Sequence, residues 1–474
     1  MSVSVLALLI ILLQPVIGLA SPESSPLATV IQDRLSSSAY RDIKVGVLIK
    51  KLDPSGEGPI AYALNPNDGF IPASTTKVLL SAFALSKLGS DFQIQTPVFL
   101  KGRQRGAVFH GRLYLVGRGD AYFGREQLSQ ISSHLQARGI KEIRGGIAYD
   151  STYFKGTSMG NSGNARHYYA PSAALSYEFN WINLRPQNKE LVPENNTSYA
   201  KIIHQGRYIN DPKTAHRPQL WFRKDANVDV YHIKGDASRA DYLNDYLRVL
   251  VSRPGLYCAQ QLRQQLKANG IQVTGPIRAE AAPRLFRQYL PVSGTPLQKM
   301  LVELNHNSNN VLAKNLTSVI ASKSILGPAS PQVGVKMAQK YWRRKAGIKD
   351  PNFKLDDLVG LSVSNQVSPA QFSKILSYIY GNSYLHGPLI NALPQLGHDA
   401  ALSYPRPKPH QKVRLKTGTL SATGVNALVG YIENEEQQTA YSVVILMNRR
   451  QSTGRRMYKG QFSHPLLADI LSVL

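Results

Sequence analysis

The sequence predicts an α/β protein whose main domain is split by a long insertion, and three observations predict it. Near the start, alternating runs at Lys44 to Lys50 and Ile60 to Leu64 flank a Pro/Gly/Glu turn and precede Thr75 to Leu88, a segment apolar on nearly every side. Near the end, runs at Asn426 to Ile432 and Ser442 to Met447 lead into a closing helix from Pro465. Between them, from about Phe92 to Leu285, the chain changes to short strands and turns. At 474 residues it exceeds one ordinary domain, and a prior of roughly 150 residues per domain gives two to four.

Each element has its own signal. Val45, Val47 and Ile49 fall on one face of a strand, and Ile60 to Leu64 completes a hairpin. Val78, Leu79, Leu80, Phe83, Leu85 and Leu88 describe a helix buried in a core, with Ser74 at its N-terminus. The middle block opens with a strand at Leu113 to Val116, a helix at Arg125 to Ala137 and a strand-like run from Ile140 to Tyr149. Helical patterns resume at Tyr257 to Asn269, Leu297 to Asn305, Asn309 to Lys323, Val333 to Ala346 and Pro369 to Tyr380. Tyr404 to His410, with three interleaved prolines, reads as a rigid exposed loop.

The first residues carry a different kind of information. Val3 to Leu13 is an almost unbroken apolar run ended by Gln14 and Pro15, and Gly18-Leu19-Ala20 offers small residues at the minus-three and minus-one positions. This predicts a secretory signal peptide, residues 1–20, cut after Ala20, although no Lys or Arg precedes the run. Pro15 makes an uncleaved anchor the poorer fit. The single Cys258 forbids an intramolecular disulfide and a multi-cysteine metal site, and reads as a buried small hydrophobe. The 56 Lys+Arg against 30 Asp+Glu give a formal charge of +26, which attracts polyanions. Export removes nucleic acid as a partner and leaves anionic envelope surfaces, toward which residues 401–474, with ten Lys/Arg and four Asp/Glu, contribute. The oligomeric state stays open.

Three short motifs carry chemistry. In Ser74-Thr75-Thr76-Lys77 a serine and a lysine three apart share one helical face, so the amine reaches the hydroxyl. A serine needs such a base at neutral pH, and a lysine serves if burial and neighbouring cations lower its pKa. Ser308-Asn309-Asn310 opens a helix, where Ser and Asn are also ordinary caps. Lys416-Thr417-Gly418-Thr419 ends an alternating strand with Val413 and Leu415. Each motif alone is weak, but the three in this order are specific.

In that order they resemble the serine penicillin-recognising enzymes, and the interval from Lys77 to Ser308 resembles the D-alanyl-D-alanine carboxypeptidases/endopeptidases of the class C low-molecular-mass penicillin-binding proteins. The resemblance runs from about residue 25 to the C-terminus and is densest from Lys416 to Ser421, leading into Leu428-Val429-Gly430-Tyr431. It implies a β-lactamase/transpeptidase-like catalytic domain, an antiparallel sheet with helices on both faces, built from 21–97 and 286–474. It also implies two nested inserts, 98–122 with 191–285 outside and 123–190 within. Ser74 would attack the penultimate D-alanine carbonyl and Lys77 would take its proton. Ser308 would relay a proton to the leaving amine, Asn310 would hold Lys77 and the substrate amide, and Lys416 would supply positive charge. Thr417 and Thr419 would bind the terminal carboxylate, with Gly418 and Ser421 completing the binding strand and backbone N–H groups of Ser74 and Thr419 forming the oxyanion hole. The implied substrates are peptidoglycan peptides, with β-lactams as inhibitors and no metal or cofactor.

Two departures and two rivals belong beside this reading. The chain reads Asp357-Leu358-Val359-Gly360-Leu361-Ser362-Val363 where the family commonly has Asp-Gly-Ser-Gly and a basic residue after Leu-Ser, and Asp120-Ala121 stands for Asp-Pro. A serine β-lactamase is the runner-up, yet Val311 to Leu415 contains no glutamate of the kind that deacylates class A enzymes. A non-catalytic envelope-binding protein would be expected to have lost Ser74, Lys77 or Lys416. Arg118-Gly119-Asp120 spells an adhesion tripeptide but reads as a strand-end turn.

Overall fold

The computed structural model describes residues 25–474 apart from 157–162, 189, 196, 210–217, 239–245, 284–287, 400–401, 451–456 and 458. The predicted signal segment lies outside the described residues. The chain begins with α1 (Pro26–Ser36), β1 (Ile43–Leu52), β2 (Ile60–Leu64) and α2 (Thr76–Leu88). The insertion carries α3 (Arg125–Ala137) and α4 (Pro254–Ala268). There follow α5 (Leu297–His306), α6 (Asn310–Ile325), α7 (Pro331–Lys345), α8 (Pro369–Tyr380) and α9 (Ser383–Ile390). β3 (Gln411–Leu420), β4 (Val425–Asn434), β5 (Thr439–Arg449) and α10 (Ser463–Val473) close the chain.

The catalytic sheet is antiparallel with order β2-β1-β5-β4-β3, so the first and last parts of the sequence are joined by the pairing of β1 with β5 over ten registered residues. Alternation along the strands divides their side chains between two cores. Val47, Val443, Ile445 and Met447 pack with Ile31 of α1 and Leu467 and Ile470 of α10. Val429, Val444 and Leu446 pack on the other face with Val78, Leu79, Phe83 and, from α8, Phe372 and Ile375. The expected antiparallel sheet with helices on both faces is what the residues build.

α2 is the interior helix the sequence predicts. Val78, Leu79, Leu80, Phe83 and Leu85 are all fully buried, each stabilising by about 1.5–3 kcal/mol. That burial offsets the cost of carrying Lys77 inside with them.

Within the insertion, strands far apart in sequence pair with one another. Val98–Arg105 and Val108–Val116 form a hairpin, and Ile147–Asp150 runs parallel to Leu113–Val116 and also to Ile277–Ala279. Leu128, Ile131 and Leu135 of α3 share a core with Leu262 and Leu266 of α4. Trp181–Gln187 pairs with Leu247–Leu250, and Ala200–Gln205 with Val228–Lys234. The sequence lacks this information because strand pairing is long-range and the short strands have no period of their own.

Other expectations meet the structure residue by residue. Ile140 to Tyr149 is two strands, Glu142–Ile143 and Ile147–Asp150, separated by Gly145-Gly146. α1 and α9 are not predicted; α9 is short and contains Pro388, which breaks the helical signal. Cys258 is buried, Tyr404 is exposed in a loop, and Asp120 is buried, accepting from Thr295 Oγ1 at 2.7 Å and from Tyr122 N at 2.9 Å. The adhesion tripeptide is thus a structural turn.

The insertion is locked to the catalytic domain by Asn315 of α6. Its Oδ1 accepts from Ala173 N, and its Nδ2 donates toward Gly119 O, Ala173 O and Ser176 Oγ, all within 3.2 Å. Asn315→Ala leaves these buried groups unpaired and is expected to lower stability by about 3 kcal/mol. Urea unfolding of the two proteins tests this, and an unchanged midpoint would contradict it.

Candidate active site

Three pieces of backbone place Ser74. β5 holds the incoming segment, because Asn448 Oδ1 accepts from Ile71 N at 2.8 Å and its Nδ2 donates to Ile71 O. The serine itself lies in a 3₁₀ turn, Ala73–Thr75, that runs into α2, rather than in the helix proper. Ala73 has φ +47°, a left-handed backbone that costs an alanine energy and bends the chain so that the next residue projects. Two glycines let other segments reach this turn. A Cβ on Gly360 would stand 2.1 Å from Ala73 O, and one on Gly418 would stand 3.0 Å from Ser74 N. β3, the free edge of the sheet, thereby runs beside the serine.

Lys77 is completely buried, and its Nζ lies 3.1 Å from Ser74 Oγ, 3.0 Å from Asn310 Oδ1 and 2.5 Å from the Val359 carbonyl oxygen. An ammonium donates to all three. A neutral amine has two N–H groups and one lone pair. The carboxamide oxygen and the backbone carbonyl can only accept, so they take the two N–H groups. The lone pair then faces the Ser74 hydroxyl, which donates to it.

The electrostatics favour that neutral form. Burial holds the Lys77 pKa well below the usual lysine value, and the nearby Lys416 lowers it further; Asp357 acts the other way and Lys314 adds to the depression. Asp357 is itself committed to the backbone. Its carboxylate accepts from Gly360 N at 2.6 Å, Leu361 N at 3.2 Å and Ser362 N at 2.9 Å, and from Asn365 Nδ2 at 3.0 Å. This turn, Asp357 to Ser362, is what presents the Val359 carbonyl to Lys77.

The second motif serves both of its readings. Asn309 is the N-cap of α6, its Oδ1 accepting from Leu312 N at 3.1 Å, and Asn310 one residue on touches Lys77. Asn310 Nδ2 donates to Tyr168 O at 3.2 Å, which fixes which way the carboxamide points. Ser308 precedes the cap with φ +52° and is partly exposed. In the third motif Lys416 is buried and donates to Thr417 O at 2.9 Å, Thr417 is half-buried and Thr419 exposed. Ser421 follows the end of β3 and, with Asn164, Arg166, Tyr168 and Leu220 of the insertion, lines a cavity of about 420 Å³. A larger cavity of about 540 Å³, lined by Gln260, Arg263 and Lys267 of α4, holds none of the motif residues.

Sequence reasoning missed three participants. The Val359 carbonyl carries no residue signal, and Tyr168 O belongs to a backbone 142 positions away from Asn310. Lys314 was legible in principle, since it lies one helical turn after Asn310 on the same face of α6. Val363, in place of a basic residue, is 55% exposed and offers no charge.

A half-buried serine beside a buried lysine, flanked by a capped Ser-Asn-Asn helix start and by an edge strand of an antiparallel sheet, defines a serine acyl-transfer enzyme of the penicillin-recognising kind. The chain belongs to the D-Ala-D-Ala carboxypeptidase 3 (S13) family, whose sequence model matches residues 27–460. It is 28% identical over 423 residues, 84% of this chain and 87% of the relative, to D-alanyl-D-alanine carboxypeptidase DacB of Haemophilus influenzae. It is 23% identical over 447 residues, 82% of this chain and 75% of the relative, to a D-alanyl-D-alanine carboxypeptidase of an Actinomadura species. The crystal structure of penicillin binding protein 4 (dacB) from Haemophilus influenzae superposes with a TM-score of 0.74 at 25% identity, over 93% of this chain and 97% of that one. This protein is a serine D,D-peptidase.

The pKa argument gives a pH prediction. With Lys77 as the base, only its neutral form acts, and since its pKa is depressed from 10.5, acylation by a fluorescent penicillin should rise with pH and level off well below 10.5. Stopped-flow labelling from about pH 4 to pH 11 measures this. A limb centred near the ordinary lysine value would show that Lys77 is not the base.

Proposed function

We propose that Ser74 is the nucleophile and Lys77 the general base of a D,D-peptidase that trims or cuts D-alanyl bonds in peptidoglycan peptides. The observation that carries this reading is the 3.1 Å approach of a buried, charge-depressed Lys77 amine to Ser74 Oγ. Ser74 Oγ attacks the carbonyl of the penultimate D-alanine while its proton passes to the Lys77 lone pair. Backbone N–H groups of Ser74 and Thr419 stabilise the oxyanion, which the close approach of Gly418 to Ser74 N supports. Ser308 passes a proton to the leaving amine, and Lys416 with the Thr417 and Thr419 hydroxyls holds the terminal carboxylate. Water then releases the acyl group and frees Ser74.

Penicillin acylates the same serine in this reading, because a β-lactam presents an amide carbonyl and a carboxylate to the same groups. A class A route to rapid β-lactam hydrolysis finds no support. Val311 to Leu415 holds no glutamate, and Asp357, the carboxylate that acts on Lys77, already accepts from three backbone amides and a carboxamide.

Cell-wall chemistry places the protein in the envelope, and we read residues 1–20 as its export signal, with Ser21 as the mature start. No helix among the described residues is long and apolar enough to cross a membrane. Attraction to anionic envelope surfaces has support in α7, where Lys336, Lys340 and Arg344 are exposed at helical spacing and no acidic residue occurs.

Two measurements test this. Ser74→Ala is expected to abolish both penicillin labelling and D-alanine release from a pentapeptide, and Lys77→Ala to slow acylation by about 10²- to 10⁴-fold with the fold intact. Thr419→Val keeps the backbone N–H and should cost less than either; one penicillin per Ser74→Ala chain at a defined serine would overturn the assignment. For export, N-terminal sequencing of envelope-fraction protein should begin at Ser21, and an intact Met1 in the cytoplasm would refute it.

A further inference from the structure

Lys314 belongs to none of the three motifs, yet its side chain is largely withdrawn from water beside the reacting pair. It stands at i+4 from Asn310 on α6, and its Nζ donates to Ala170 O at 2.9 Å. Ala170 closes the short turn His167–Tyr169 of the insertion, and the carbonyl of Tyr168 in that turn accepts from Asn310 Nδ2. Two rungs, one turn apart on the same helical face, therefore fasten this turn to α6. The upper rung is the residue that touches Lys77. Carrying an ammonium to a single backbone carbonyl is costly, and a methionine of similar shape would avoid the desolvation. Packing alone gives no reason for a lysine here.

We propose that Lys314 is a positioning residue of the acylation step: it clamps the 168–170 turn onto α6, so that Tyr168 orients Asn310 and Asn310 orients Lys77, and it sets a fixed cation behind the base. The inference rests on the reading of Lys77 as general base. Charges act on Lys77 from three elements, Lys416 of β3, Lys314 of α6 and Asp357 of the turn before Ser362. The insertion turn packed on α6 adds the titratable His167, Tyr168 and Tyr169, of which burial keeps His167 neutral, with a pKa down to about 4. Burial also lowers Lys314, to about 8, with Asp357 opposing. Its charge is thus present at neutral pH and below, and fades above about 8. Within that window, removal of the cation makes Lys77 easier to protonate. The base is then disabled up to a higher pH.

The test is the pH profile of acylation by fluorescent penicillin for the full chain carrying Lys314→Met or Lys314→Gln, with thermal melting in parallel. Both variants should move the acid limb upward by about half a pH unit or more. Lys314→Met should also be slower on the plateau by about tenfold, the worth of one charge-assisted bond. Lys314→Gln, which keeps a donor without charge, should lose less rate but shift the limb equally. Should Lys314→Met melt early, Lys314→Gln decides. Folded variants with the wild-type limb and plateau would overturn the proposal. Wild-type protein whose label is not on Ser74 would instead refute the assignment of the nucleophile, so the two failures are distinguishable.

Discussion

The structure depends on one buried amine. Lys77 Nζ is met by Ser74 from its own helix start, by Asn310 from α6 and by the Val359 carbonyl from the turn before Ser362, segments separated by more than 200 residues. Two of these partners can only accept. Their placement decides where the lone pair of a neutral lysine must point, and it points at the hydroxyl to be activated. The apolar surroundings of α2 do two things with one feature: they hold the helix in the core and they make a charged lysine unfavourable. Stability and the neutral form of the amine thus come from the same packing.

Two strained backbones lie close to that amine. Ala73 and Ser308 both take left-handed backbone conformations, one immediately before Ser74 and one two residues before Asn310. Gly360 and Gly418 remove the side chains that would hold the neighbouring segments away from Ser74. The end of β3, an edge strand of the sheet, lies along the same turn.

The insertion is part of the catalytic unit. Its 168–176 segment touches α6 at Asn310, Lys314 and Asn315 through backbone groups. It also closes one side of the cavity that Ser421 enters. The dimensions of that cavity belong to neither domain alone.

Reading the chain alone was sufficient for what depends on neighbours in sequence. The spacing of Ser74 and Lys77, the cap at Asn309, the alternation in β3 to β5 and the apolar surround of α2 are local patterns, and each appears where predicted. The order of the three motifs further implied that distant segments meet. It could not say which backbone carbonyl would receive the lysine, which strands of the insertion would pair, or that Lys314 would be largely withdrawn from water. A carbonyl has no residue identity, strand partners can lie a hundred residues apart, and burial of a surface-looking lysine depends on what packs over it. Those were decided by the tertiary structure, because pairing and desolvation are set by the whole fold and not by spacing along the chain.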